Sequence, residues 1–208
     1  MLNTLYINLE HRTDRRAHVE EQLAMFPFLK VERFNAVKLP NGALGCSISH
    51  LKCLELAKER GWTQVLIVED DIQFLNPDLF LTQFNKFTKR HKYFDVLLIA
   101  GNNMPPYIQI DDCCMKIANC YTTTGYIVNQ KYYDKLITNY KQGIAGLMRE
   151  PGNKSRYAID VYWKTLQMED MWFLLTPPSV IQREDYSDIE ERNVDYSKLF
   201  LDVYKIKK

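Results

Sequence analysis

Three carboxylates in a row, Glu69-Asp70-Asp71, directly follow the apolar segment Gln64–Val68. Adjacent negative charges repel, so a cation beside them lowers their energy. Hard oxygen donors suit Mn2+ or Mg2+, ions that keep few protein ligands and leave the remaining positions to water or substrate phosphate. In open α/β sheets ligands bind outside the carboxyl ends of strands, which is where this triplet is expected. A set of opposite charge, Arg12, Arg15 and Arg16, follows Leu5-Tyr6-Ile7-Asn8-Leu9. Guanidinium forks match phosphate geometry, and Arg12 shares a helix face with Arg15 or Arg16. Basic groups at one strand end and acidic groups at the next would hold a nucleoside diphosphate bridged by a metal. The plainer alternatives are a solvated acidic turn capping the next helix and a solvated helix start.

Other chemistry-bearing residues point less far. Cys46, His50 and Cys53 fall on one face of a predicted helix, but a fourth ligand at zinc-like spacing is missing. Ser49 and His50 are neighbours, and consecutive helical residues point about 100° apart, so they do not form a hydrolase dyad. Lys86, Lys89, Arg90, His91 and Lys92 read as a solvated, dipole-favoured helix end, with an anionic acceptor or membrane headgroup as the sharper alternative. Glu184–Glu191 is acidic.

The elements that must position these groups follow from pattern and punctuation. Leu5–Leu9, Lys30–Val37, Gln64–Val68, Asp95–Ala100 and Met171–Leu175 read as strands. Helices are expected from Thr13 or Asp14 to Met25, from Leu44 to Arg60 with Gly61 as the stop, from Asn76-Pro77 to about Lys89, from Asn129 through Tyr140, and over Ile159–Leu166. Tyr107–Val128 reads as β-rich with a hairpin, and Gly143–Ser155 as a mobile loop. Strands alternating with helices argue for an α/β fold with a largely parallel sheet.

Composition bounds the function. The 208 residues carry a net charge of +1, 46% hydrophobic and 25% charged residues, which describes an ordinary globular chain rather than a disordered one. Near-neutral charge argues against a nucleic-acid partner. No apolar run approaches the 18–20 residues of a membrane span. The start Met1-Leu2-Asn3-Thr4 has no basic patch followed by an apolar run, so no signal peptide is expected. The five cysteines are an odd set without Cys-x-x-Cys spacing, read as reduced thiols. The expected location is cytoplasmic, at most peripheral to a membrane surface.

The ordered blocks Tyr6-Ile7-Asn8-Leu9-x-x-Arg12-x-Asp14-Arg15-Arg16, Arg33-Phe34-Asn35-Ala36-Val37, Gly42-Ala43-Leu44-Gly45-Cys46-x-x-Ser49-His50 and Glu69-Asp70-Asp71 resemble glycosyltransferase family 25. That family includes lipooligosaccharide and collagen hydroxylysine galactosyltransferases. Thr124-Gly125-Tyr126, Ala158-Ile159-Asp160 and Pro178-Ser179-x-Ile181-Gln182 through Ser187-Asp188-Ile189 resemble its later blocks more loosely.

The resemblance implies a type-A glycosyltransferase fold: one Rossmann-like domain over residues 1–208 with a mixed, mainly parallel central sheet. It implies a UDP-sugar donor, a divalent metal (typically Mn2+) and inversion at the anomeric carbon. By this analogy Ile7, Asn8 and Leu9 with Arg12 and Arg15 hold the nucleotide, and Ala36 and Val37 lie near the base. Glu69, Asp70 and Asp71 stand where such enzymes place an Asp-x-Asp element, with Asp71 favoured for the ion and Glu69 or Asp70 reaching ribose or the metal through water. Asp160 is the expected base and Asp188 its alternative. Tyr126, Trp163 and Trp172 are core residues or sugar-stacking surfaces. The acceptor would be a hydroxyl of a glycan, a glycolipid or a hydroxylysine-containing chain, the sugar galactose, glucose or N-acetylglucosamine, and the candidate assembly a homodimer. The rival functions are another metal-dependent phosphate-ester enzyme and a non-catalytic nucleotide- or glycan-binding module.

Overall fold

The computed structural model describes residues 1–187 and 192–205. The strands are β1 (Leu2–Asn8), β2 (Leu29–Asn35), β3 (Gln64–Glu69), β4 (Ile72–Phe74), β5 (Val96–Asn103), β6 (Tyr107–Gln109), β7 (Cys114–Ile117), β8 (Cys120–Asn129), β9 (Trp172–Leu175), β10 (Val180–Gln182), β11 (Asp185–Ser187) and β12 (Arg192–Val194). The helices are α1 (Thr13–Ala24), α2 (Gly42–Glu59), α3 (Pro77–Arg90), α4 (Tyr133–Arg149), α5 (Lys154–Tyr157), α6 (Ile159–Tyr162), α7 (Lys164–Glu169) and α8 (Ser197–Leu201). Among the described residues no helix is long and apolar enough to cross a membrane.

An 8-stranded sheet in the order β2-β1-β3-β8-β5-β9-β7-β6 forms the centre. β1 runs parallel to both β2 and β3, and β5 parallel to β9, while β8 and β7 run against their neighbours. The sheet is therefore mixed and mainly parallel by strand direction, as the sequence led us to expect. Successive strand residues point to opposite faces, and β3 buries both. Val65 and Ile67 join Leu51 and Leu54 of α2 and Leu136 and Tyr140 of α4. Leu66 and Val68 join Val19 and Leu23 of α1 and Phe80 and Phe87 of α3. A strand buried on both faces needs a continuous apolar run, and Val65–Val68 is one. Tyr126, Trp163 and Trp172 belong to the first of these clusters and are fully buried, so they are core and not sugar platforms.

Caps explain two helix starts. Asn41 Oδ1 accepts from Leu44 N at 3.1 Å, and Asn76 Oδ1 from Leu79 N at 2.9 Å ahead of Pro77. Neither Thr13 nor Asp14 caps α1. The residue before that helix is Arg12, with no side-chain cap, because Asp14 turns back to the Arg12 guanidinium at 2.8 and 3.0 Å. The expected helix over Ile159–Leu166 is broken into α6 and α7.

The expected mobile loop Gly143–Ser155 is also corrected, since α4 continues through Gly143 and Gly146 to Arg149. These glycines serve close packing, not turns. A Cβ on Gly146 would stand 2.2 Å from Tyr157 Cδ1. Gly146→Ala should therefore destabilise the chain by about 1–3 kcal/mol through overpacking, although alanine is the better helix former. Thermal unfolding should show a drop of several degrees. Gly152→Ala, which meets nothing within 4 Å, should melt like the parent. Equal melting of both variants would contradict this packing.

Candidate functional site

The parallel strands β1 and β3 end side by side, with Ile7 opposite Glu69. This register brings the residues after β1 next to the acidic triplet. Asn8, buried at the end of β1, donates from Nδ2 to Asp70 Oδ2 at 2.7 Å and to Arg12 O at 3.0 Å. Its Oδ1 accepts from Arg33 Nε at 3.1 Å. Asn8 thus braces the acidic turn from within. It is not among the residues that line the two cavities described below.

Arg15 is the counter-charge. Its Nη1 donates to Asp70 Oδ1 at 2.9 Å and to Asp71 Oδ2 at 3.1 Å, and its Nε to Asp185 Oδ2 at 3.1 Å. Asp185 also pairs with Arg12 at 3.2 Å and Arg183 at 2.7 Å. Arg16 departs from the expected phosphate-facing set. It pairs with Glu20 one helical turn on, at 2.9 Å, on an exposed face.

The three consecutive carboxylates occupy three environments. Glu69 Oε1 accepts from Thr123 Oγ1 at 2.8 Å and lies 3.2 Å from His50 Nε2. Burial works upward on Glu69, but the His50 and Thr123 hydrogen bonds hold it below its ordinary range. Burial pushes Asp70 up, against the pull of Arg15 and Asn8. Burial and the neighbouring Glu69 charge push Asp71 up to about 7, with Arg15 opposing. Asp71 Oδ2 takes Arg15 and Gln182, while its buried Oδ1 has no partner. That orphan oxygen fits a divalent cation, because a hard ion supplies the charge that burial removed. Cys46 Sγ, His50 Nε2 and a Glu69 oxygen also lie within 4.8 Å of one another. Cys53, the third residue of the predicted face, is instead in the core.

Two cavities meet here. The first, about 270 Å3, is lined by Ile7, Leu9, Arg12 and Arg15, by Ala36 and Val37, and by Glu69, Asp70 and Asp71, among others. Most of the residues expected to hold a nucleotide therefore share one cavity. The second, about 440 Å3, is lined by Asp160, Thr122, Thr123, Tyr121 and Asn102 with the α5–α6 segment. Cys46, Glu69 and Gln182 line both, so Glu69 stands at the junction. Asp188, the alternative base, lies outside the described residues.

A bulge in β8 builds the second cavity. Ala100 pairs with Gly125 and Asn102 with Tyr121, so Thr122, Thr123 and Thr124 stand against Gly101 alone. Gly101 leaves room for this, since a Cβ there would lie 2.5 Å from Cys120 Sγ. Bulges re-aim side chains next to functional sites. Here Thr123 turns to Glu69, and Thr122, at φ +75°, donates its N–H to Asp160 Oδ2 at 3.1 Å. Left-handed backbone at a β-branched residue is strained. Burial pushes Asp160 above the ordinary carboxylate range, with the Thr122 hydrogen bond opposing.

Sequence reasoning missed Gln182 as a site residue, Thr122, Thr123, Asp185 and the bracing role of Arg33. The Thr-rich run 122–124 before Gly125 was the available signal. Gln182 and Asp185 fall in the loosely resembling block from Pro178 to Ile189, and they reach the site because β10 pairs antiparallel with β4 and sets Gln182 opposite Ile72.

Residues 28–160 match the sequence model of glycosyltransferase family 25 (LPS biosynthesis protein). The match spans Ala36, Val37, the acidic triplet and Asp160, and begins after Arg12 and Arg15. No curated protein matches the sequence. The fold is similar to that of the glycosyltransferase GlyE of Streptococcus pneumoniae TIGR4, at TM-score 0.50 and 9% identity over 84% of this chain and 45% of that one. The chain thus spans less than half the length of that protein. A protein described as mannose-1-phosphate geranyltransferase from Thermus thermophilus aligns at TM-score 0.49 and 7% identity, over 84% of this chain and 73% of that one.

Asp71 allows a test of the electrostatics. A carboxyl whose pKa rises from 3.8 unfolded to about 7 folded contributes stability that is fully present below pH 3.8. That contribution is lost as pH rises through 7. Asp71→Asn keeps acceptors for Arg15 and Gln182 and places an amide at the orphan position. With a chelator present, the variant should melt a few degrees above the parent at pH 8, with the gap closing towards pH 5. A gap that widens on acidification would contradict the assignment.

Proposed function

The chain belongs to glycosyltransferase family 25 and is a glycosyltransferase, and from this we propose that it moves a hexose from a UDP-sugar to a hydroxyl of a lipooligosaccharide-type glycan, with inversion. The carrying observation is the pair of cavities meeting at Glu69, one walled by the arginines and carboxylates and the other by Asp160. The smaller cavity takes the nucleotide, with the base against Ala36, Val37 and Leu39 and the diphosphate towards Arg12 and Arg15. The larger cavity takes the acceptor.

Each residue then has a physical task. Asp160 accepts the acceptor hydroxyl proton, for which a carboxyl raised by burial is suited. The acceptor oxygen forms its bond to the anomeric carbon as the bond to the diphosphate oxygen breaks on the opposite face. Positive charge on the sugar is then greatest, as in other oxocarbenium-like displacements, and Glu69, held ionised by His50 and Thr123, faces it from the junction. Arg15 and Arg12 neutralise the departing diphosphate, exchanging their contacts with Asp185 for phosphate oxygens. Asp71, with Glu69 or Asp70 assisting, would hold Mn2+ or Mg2+, which when bound adds positive charge to the diphosphate. Thr122 keeps Asp160 pointed at the acceptor cavity.

UDP release measured with Mn2+ across UDP-galactose, UDP-glucose and UDP-N-acetylglucosamine, with a core oligosaccharide as acceptor, tests this reading. One donor should support turnover that depends on the acceptor. Asp160→Asn should lower kcat by about 10^2–10^4-fold, with donor affinity within about threefold of the parent. Failure of every UDP-sugar to bind, or full activity in Asp160→Asn, would overturn it.

A further inference from the structure

A second group of metal-ligand side chains stands at the other end of the sheet, away from both cavities. His91 directly follows α3, Asp111 and Cys113 lie in the turn between β6 and β7, and Cys114 opens β7. One donor atom from each of the four lies within 4.8 Å of the others. His91 Nε2 is 2.9 Å from Asp111 Oδ2 and 3.5 Å from Cys114 Sγ, and Cys114 Sγ is 3.7 Å from Asp111 Oδ1. Both cysteines are fully buried and neither is in a disulfide.

We propose that His91, Asp111, Cys113 and Cys114 form a structural zinc site that ties the β6–β7 hairpin to the end of α3. Zinc takes four nitrogen, sulfur or carboxylate ligands in a tetrahedron, with bonds of about 2.0–2.3 Å and so edges of roughly 3.3–3.8 Å. His91 Nε2 and Asp111 Oδ1 already stand at that spacing from Cys114 Sγ, while the 2.9 Å contact of His91 runs to the other Asp111 oxygen, Oδ2. Two thiolates, one imidazole and one carboxylate are softer donors than the acidic triplet and select zinc over Mn2+. The site would carry a net charge of −1, and the Arg90 guanidinium, 3.3 Å from Asp111 Oδ2, lies beside it to offset that charge. Asp111 Oδ1 also accepts from the N–H groups of Cys113 and Cys114 at 2.8 and 3.1 Å, which holds the turn in place before any ion arrives. Binding releases the two thiol protons to solvent.

The gain would be mechanical. Among the described residues β6 and β7 are the last strands of the sheet on this side, and their strand pairing with the rest of it runs through β9. A metal bond to α3 would fasten that edge.

The test is a titration of the metal-free 208-residue chain with Zn2+ against a chromophoric chelator, and in parallel with Co2+ as a spectroscopic probe. One equivalent of Zn2+ should bind and raise the melting temperature, and Co2+ should give a thiolate-to-metal charge-transfer band. Cys114→Ser and His91→Ala should weaken Zn2+ binding at least about 100-fold. Asp71→Asn should bind this equivalent like the parent, which separates the site from the acidic triplet. Absence of the cobalt–thiolate band in the parent chain, a reading independent of how any variant folds, would overturn the proposal. So would zinc binding that survives in a Cys113→Ser, Cys114→Ser double variant.

Discussion

A single guanidinium makes the site possible. Arg15 lies between Asp70 and Asp71 and reaches Asp185 with its remaining edge. Two adjacent carboxylates cannot be buried together unpaired, because desolvation of each ion costs several kcal/mol. The planar fork of arginine can address several oxygens at once where lysine offers a point charge. Much else is arranged around this contact. Asn8 braces Asp70 from β1, Gln182 braces Asp71 from β10, and Arg183 and Arg12 share the load on Asp185. Even so, Asp70 and Asp71 remain raised, and Asp71 keeps an unpaired oxygen. A structure built only for stability would not keep that oxygen bare. It is consistent with a ligand supplying the missing charge.

Glu69 shows how neighbours in sequence take different roles. It ends β3 and turns towards α2 and β8, where His50 and Thr123 meet it, while Asp70 and Asp71 turn towards α1. His50 is itself fixed by Tyr126, and Tyr126 by Tyr140. A chain of buried polar contacts thus runs from the core between α2 and α4 to the junction of the two cavities. Such a chain fixes orientation, since every member already has its partner.

Much of this was legible from residue types. The apolar run before the acidic triplet, Arg12 and Arg15 after the first strand, and the cap at Asn76 are local signals, and each stands where its chemistry leads. Ile7, Leu9, Arg12, Arg15, Ala36, Val37 and the triplet reach one cavity wall because β1, β2 and β3 are parallel neighbours that end at the same edge. The failures are equally physical. Gly143 and Gly146 read as loop residues by propensity, yet they sit inside α4 because Tyr157 packs against the helix there. Arg16 looked equivalent to Arg15, but one residue along α1 turns it to the exposed face and to Glu20.

Periodicity and charge order alone determined the α/β class, the strand end that carries the acids, and the helix that follows the first arginines. Those features depend on a residue and its near neighbours. Tertiary structure decided the division of labour. The bulge that points Thr122 at Asp160 and Thr123 at Glu69, the arrival of Gln182 and Asp185, and the splitting of one acidic triplet into three environments all depend on strands distant in sequence. A one-residue change in their register would turn each side chain to the other face. No local pattern encodes that pairing, because its energy lies in contacts that exist only once the sheet has closed.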